Sequence, residues 1–192
     1  ILAGRGALGA GARLAEISEL LGAPVAKALL GKAAMSDTHP HCTGGVGLLG
    51  TEPSQDALAG CDTLLIVGSS FPYVEFYPKP GKARAVQIDA DGARIGLRYP
   101  VECGIVGDAA ASLRALAPLL KRHEDRSFLD NARKGIAAWR DALAEQGCLR
   151  DMPMKPQAVT YHLDKLLDDD AIVSADSGTI ATWAARYIDI RD

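Results

Sequence analysis

A chain of 192 residues, 48% of them hydrophobic, is long enough for one large domain or one and a half smaller ones and apolar enough to bury a real core. Its charged residues, 23% of the total, leave a net charge of -3, and the absence of a basic stripe or a basic amphipathic helix speaks against a nucleic-acid or membrane-surface partner. No apolar run approaches the ~20 residues of a membrane span, and Cys42, Cys61, Cys103 and Cys148 are scattered without a CxxC pair, so reduced thiols in a soluble, cytoplasmic protein are expected.

The chain opens within an apolar run, Ile1-Leu2-Ala3, with no basic segment before it, and reads as cut inside a strand rather than as a signal peptide. That strand leads through Gly4-Arg5-Gly6-Ala7-Leu8-Gly9 into a helix with Leu14, Ile17, Leu20 and Leu21 on one face, closed by Gly22. A short strand is predicted at Pro24-Val25-Ala26. Residues 29–50, rich in Gly, Pro, His and Thr, are predicted to form a long loop with a short helical piece, and a helix follows at 53–59. Strands are predicted at 64–67, 85–88 and 101–106, an aromatic and proline-rich loop at 71–81, and a closing helix at 109–120 that buries Leu113, Leu116 and Leu120. This alternation predicts an α/β fold, a Rossmann-like doubly wound parallel sheet of the NAD/FAD-binding (DHS-like) type with right-handed crossovers.

Beyond Leu120 the chain turns highly charged, with Phe128, Ala132, Ile136, Trp139 and Leu143 at helical spacing. A linker at 147–156, a helix at 157–167, a buried strand at 171–175 and a helix over 179–187 then predict an incomplete second α/β unit. The expected division is 1–121, a connecting helix and linker at 122–150, and 151–192. Ile172, Val173, Trp183 and Tyr187 are expected to pack on the first unit or on a second copy in a homo-oligomer.

The predicted strands at 64–67, 85–88 and 101–106 end at Gly68-Ser69-Ser70, Asp89-Ala90-Asp91 and Gly107-Asp108. Buried parallel strands open their carboxyl ends onto one sheet edge, where ligands of such sheets bind. Gly4-x-Gly6-x-x-Gly9 matches a dinucleotide fingerprint, but the acid expected roughly 20 residues on is absent after Lys27; phosphate contact and a tight packing turn stand as equal readings. The second glycine cluster, 43–50, permits close approach to a ligand or forms a flexible loop. Phe71, Tyr73, Phe76 and Tyr77 crowd one loop at the same edge, suited to stacking on a flat ring or to packing. Asp89 reads as a ribose contact and Asp91 as either that or a cap; capping is favoured for Asp108. His39-Pro40-His41-Cys42 has no second ligand cluster near it and fits a loop better than a metal site. Asp176-Ser177-Gly178-Thr179 opens a helix whose free amides suit an anion, or is an ordinary N-cap.

The run FPYVEFYPKPGKARAVQIDADGARIGLRYPVECGIVGDAAASLRAL closely resembles the central domain of thiamine-diphosphate enzymes of the pyruvate oxidase and pyruvate:quinone dehydrogenase type, with acetolactate synthase a more distant relative. The segment ADSGTIATWAARYI resembles the opening of the thiamine-diphosphate-binding domain of that family. The resemblance implies a domain that holds FAD in an extended pose in the FAD-using members of the family and keeps only a vestigial site in others. Gly4 and Gly6 would approach a dinucleotide on the fingerprint reading alone; carried over from the family, Gly47, Leu48, Leu49 and Gly50 would lie along the FAD backbone, and Ser69, Ser70, Phe71, Pro72 and Tyr73 would meet its central portion. Asp89 and Asp91 would meet the adenosine end with Asp108 nearby, and Ser177, Gly178 and Thr179 would lie beside the thiamine diphosphate. It also implies an intact enzyme that uses thiamine diphosphate and Mg2+ on a 2-oxo acid, pyruvate first. The activating glutamate of the family's N-terminal domain and its downstream GDG…N metal motif are not found in these residues, so the chain alone is not expected to catalyse. A plain NAD or ADP-ribose module and a structural spacer are the alternatives.

Overall fold

The computed structural model describes residues 1–191. Six parallel strands form one sheet in the order β3-β2-β1-β4-β5-β6, where β1 is Leu2–Ala3, β2 Val25–Lys27, β3 Cys42–Gly45, β4 Thr63–Val67, β5 Arg84–Asp89 and β6 Cys103–Val106. Helices α1 (Gly11–Leu21), α2 (Glu52–Gly60) and α3 (Ala109–Leu116) link or close these strands. The strand order reverses between β1 and β4, the arrangement of a doubly wound Rossmann-like sheet.

Strand periodicity divides β4 between two cores. Leu65 and Val67 join Leu14, Ile17 and Leu113 under α1 and α3, while Leu64 and Ile66 join Leu2, Leu58, Tyr77 and Tyr99 on the opposite face. A strand buried on both faces needs an unbroken apolar run, and TLLIV supplies it. Asp108 caps α3 by accepting from the Ala111 N–H at 2.8 Å. The helix predicted over 109–120 is cut to Leu116 and continues as a tighter turn over Ala117–Leu119, because Pro118 offers no N–H and crowds the preceding turn.

Two further elements differ from expectation. The predicted loop at 29–50 contains β3, whose Cys-Thr-Gly-Gly sequence has little strand propensity. Tertiary pairing with β2 overrides it, helped by a relay in which Ser54 Oγ donates to Thr43 Oγ1 at 2.8 Å and Thr43 Oγ1 to the Val25 carbonyl at 3.3 Å. The strand predicted at 171–175 is absent. That stretch carries no regular structure and leaves Ile172 99% exposed, since a buried parallel strand requires neighbours for its backbone groups and none lies beside it among the described residues.

After α3, the 21-residue helix α4 (Ser127–Gly147) runs over α2 and β3. It buries Leu129 fully, and Arg126 just before it reaches Glu19 on α1 at 2.8 Å. Helices α5 (Pro156–Asp164) and α6 (Thr179–Tyr187) return the chain to the β3 side of the sheet, where Tyr187 and Ile188 are buried. No described helix is long and apolar enough to cross a membrane.

Candidate functional site

The loops that follow β1, β3, β4 and β5 leave one edge of the sheet, and they carry most of the candidate residues. Neighbouring parallel strands lie about 4.8 Å apart, so the four steps from β3 to β5 span about 19 Å. A ligand touching both ends must be extended.

The first glycine loop resolves towards packing. The amides of Gly4 and Gly6 donate to the Val67 and Gly68 carbonyls, both at 2.9 Å, and those of Ala7 and Leu8 donate back to Gly4 and Arg5. A Cβ on Gly4 would stand 2.5 Å from the Gly68 oxygen, and one on Gly68, at φ +57°, would stand 2.5 Å from the Gly6 Cα. These glycines let the β1 and β4 loops touch. Gly4 is buried, and Gly6 is exposed beside it.

The second cluster behaves differently. Gly50 N–H donates to the Gly47 carbonyl and Thr51 N–H to the Gly45 carbonyl, closing a turn that pushes Leu48 out to 72% exposure. Gly47 has φ +84°, and a Cβ there would meet the Phe71 ring at 2.8 Å, so this turn and the β4 loop press together. Thr51 both caps α2 and donates to the Thr43 carbonyl at 2.5 Å, fixing the far end of the turn. Leu49 is half-buried and Gly50 buried.

In the β4 loop, Ser69 and Phe71 are buried and Tyr73 and Pro72 are exposed. Phe71 packs in the core with Tyr77, whose hydroxyl donates to the Phe71 carbonyl at 3.1 Å and is pushed by burial up to about 12. Tyr77 in turn stacks on Tyr99 at 5.6 Å. Much of the aromatic cluster is therefore packing, and Tyr73, edge-on to Phe71 at 5.4 Å, is the ring that faces out. With Leu8, Leu29, Leu30, Leu48 and Val74 it gives these loops an exposed apolar rim.

At the end of β5, Asp89 is buried and its Oδ1 accepts from Asp91 N–H at 3.0 Å; its Oδ2 takes no hydrogen bond from the described residues. Asp91 caps the turn Gly92–Arg94, and Arg94 bridges Asp91 and the Ser70 hydroxyl, the latter at 2.9 Å. Sequence reasoning missed Gln87. At 3% exposure it donates to the Ser69 and Arg94 carbonyls and accepts from Gly96 N–H, tying the β4 and β5 loops to each other. Its only sequence signal is a polar residue inside an apolar strand. Asp108 lies past β6 as a cap, and Ser177, Gly178 and Thr179 form the exposed start of α6, with Gly178 at φ +87°.

A second cluster missed from sequence centres on Asp37. Lys27, the last residue of β2, is 1% exposed; it donates to the Met35 carbonyl at 2.6 Å and pairs with Asp37 at 2.7 Å. Lys32 pairs with the same carboxylate at 2.8 Å. Burial pushes the Asp37 carboxyl up, but the two lysines outweigh it and hold it below its ordinary range.

His39 and His41 stand edge-to-face at 5.0 Å. Arg133 can only donate, so His41 Nε2 accepts from it at 3.0 Å, and Nδ1 then donates to Ser18 Oγ at 2.9 Å. Among the described residues no group of three or more His, Cys, Asp or Glu side chains is arranged to hold a metal ion.

The sequence matches the family described as thiamine pyrophosphate enzyme, central domain, over residues 1–116. The chain belongs to this family. Its relatives include YdaP of Bacillus subtilis, named as a thiamine pyrophosphate-containing protein, 38% identical over 97% of this chain and 32% of the relative. Others are the pyruvate oxidase of Lactiplantibacillus plantarum, 28% identical over 96% of this chain and 31% of the relative, and the acetolactate synthase isozyme 3 large subunit of Escherichia coli, 30% identical over 97% and 34%. The chain thus spans about a third of the length of these relatives, and corresponds to a central part of each family member.

Proposed function

We propose that this chain is the FAD-holding part of a thiamine-diphosphate enzyme that acts on a 2-oxo acid, pyruvate in the first instance. Asp89 carries the reading. It is a buried carboxylate at the end of β5 with one oxygen uncommitted among the described residues, on the edge where Rossmann-like sheets bind nucleotides, and it suits a ribose hydroxyl. The exposed Leu48, in the turn after β3 at the other end of the same edge, suits the flavin ring, and the exposed Tyr73, in the loop after β4, suits the portion between. Relatives named pyruvate oxidase and acetolactate synthase support the substrate class.

The residues present fit such a ligand in part. Asp89 would accept from the adenosine ribose, Ser70 and Arg94 would meet the central portion, and the turn Gly47-Leu48-Leu49-Gly50 would lie along the flavin end. The Gly4–Gly9 amides that already donate within the chain would not cradle the diphosphate. When bound, FAD supplies a two-electron acceptor and thiamine diphosphate an electron sink for decarboxylation. The chain's own part is to bind, to orient and to keep water from the flavin face. The exposed amides at Ser177, Gly178 and Thr179 would face the thiamine diphosphate, whose Mg2+ ligands would come from elsewhere in the intact enzyme.

Flavin fluorescence during titration tests this. FAD emission should saturate at one equivalent while NAD gives no competition. Displacement of FAD by NAD would favour a plain NAD module, and no binding of either would favour a structural spacer.

A further inference from the structure

Arg186 lies in the last turn of α6 and donates from Nη2 to the Leu48 carbonyl at 2.9 Å, joining two residues 138 positions apart. This contact lands on the turn Gly47-Leu48-Leu49-Gly50. The guanidinium is held there although its Nε is shielded from solvent and has no acceptor among the described residues. A surface arginine would escape that desolvation by swinging into water.

The end of α6 is fixed from other sides as well. Lys32 donates to the Ala185 carbonyl at 3.2 Å. Asp37 N–H donates to the Ile190 carbonyl at 2.8 Å, and Ile190 N–H returns a bond to the Asp37 carboxylate at 2.9 Å. Arg140 donates to the Asp37 carbonyl at 2.5 Å. The Asp37 carboxylate is itself locked to Lys27 at the end of β2. The last turn of α6 is therefore anchored to the sheet's carboxyl edge by charged groups, and Arg186 is the member that touches a candidate ligand loop.

We infer that Arg186 is a positioning residue: it sets where the Gly47–Gly50 turn stands and uses α6 as a rigid spacer between that turn and the Ser177-Gly178-Thr179 turn at the other end of the helix. Seven helical rises carry the chain from Thr179 to Arg186, about 10 Å. The inference rests on the reading proposed above, in which these two turns meet the flavin and the thiamine diphosphate. It adds that, with the end of α6 already anchored, the guanidinium–carbonyl contact ties the Gly47–Gly50 turn to the helix, so that ordering either turn favours order in the other.

Hydrogen exchange of the 192-residue chain, without ligand and with FAD, for wild type, Arg186→Gln and Arg186→Lys, decides it. The Gly50 and Thr51 amides, both hydrogen-bonded in the wild-type turn, should exchange about tenfold faster in Arg186→Gln. Strands β4 and β5 should be unchanged, and Arg186→Lys should restore part of the protection. The dissociation constant for FAD should rise about tenfold in Arg186→Gln. Unchanged exchange at Gly50 and Thr51 would overturn the inference, and so would faster exchange there with unaltered FAD affinity. If wild type does not bind FAD, the proposed function falls, while the exchange without ligand still decides whether Arg186 positions the turn.

Discussion

The sheet and its flanking helices, residues 1–120, differ in kind from the α5–α6 segment at 156–191. The first region is built on apolar burial. Every strand from β1 to β5 contributes fully buried or nearly buried residues to one of two clusters, and the loops at the carboxyl edge are braced by backbone bonds and by Gln87. The second leaves Ile172, Leu166 and Val159 exposed, and beside its buried Tyr187 and Ile188 it is joined to the first through polar groups: Asp37 with Ile190, Lys32 with Ala185, and Arg186 with Leu48. Apolar burial is non-directional and resists local opening, whereas a polar latch has a few specific points of failure. The difference assigns the rigidity of the sheet to its core and the placement of the segment docked beside it to that latch.

The largest expected effect breaks the first region at its tightest point. Gly68→Ala adds a Cβ at φ +57° and 2.5 Å from Gly6; it should lower unfolding free energy by about 3 kcal/mol or more by urea titration. A loss below about 1 kcal/mol would mean that the β1 and β4 loops can separate freely.

Asp37→Asn attacks the latch. It leaves Lys27 buried without its anion, at a cost of about 3 kcal/mol, and it should speed proteolytic cleavage between residues 165 and 178 beyond its effect on global unfolding. Lys27→Met combined with Asp37→Asn should recover part of the loss, because the uncompensated charge is then gone.

A smaller effect sharpens the account of the rigid edge. Gln87→Leu leaves the Ser69 and Arg94 carbonyls and the Gly96 N–H without their partner, for about 1–2 kcal/mol by urea titration. The β4 and β5 loops should then move independently, and FAD affinity should fall by more than the change in stability alone would produce.

The least effect is on pH. Burial foremost, then Arg133 and His39, lower the His41 pKa, with Glu19 opposing. Between the folded value and the ordinary 6.5 the unfolded chain binds the extra proton, so this contribution is full above about pH 6.5 and is lost as pH falls through the folded value. Asp37, also lowered, adds stability that is full above its ordinary 3.8 and disappears at more acid pH. The share of the fall in urea midpoints that His41 contributes below about pH 6.5 should be missing in His41→Gln, while the share that Asp37 contributes at more acid pH should remain.

The contrast between the regions also explains what was legible in the sequence. β4 announced itself, since TLLIV is apolar on both faces, and Asp108 announced its cap by standing just before a helical pattern. β3 did not, because two of its four residues are glycine and its position depends on pairing with β2 and on the Thr43–Ser54 relay. The apolar run at 171–175 resembled a strand, but a parallel strand is made by its neighbours, and none is there among the described residues. Sequence left Gly4–Gly9 open between phosphate contact and packing; the donated amides and the Gly4–Gly68 approach favour packing. Lys27 was visible as the residue where an acid was expected, but its partner ten positions later and the Gln87 brace exist only once the loops are brought together.

The central claim is that one rigid sheet edge holds an extended dinucleotide. Its most direct test is the hydrogen-exchange footprint of saturating FAD on the unaltered chain. Simultaneous slowing is expected at residues 47–51, 68–73 and 89–93, contributed by the loops after β3, β4 and β5, with little change in α1 and α3. Slowing confined to one of these loops, or located at the opposite edge of the sheet, would contradict it.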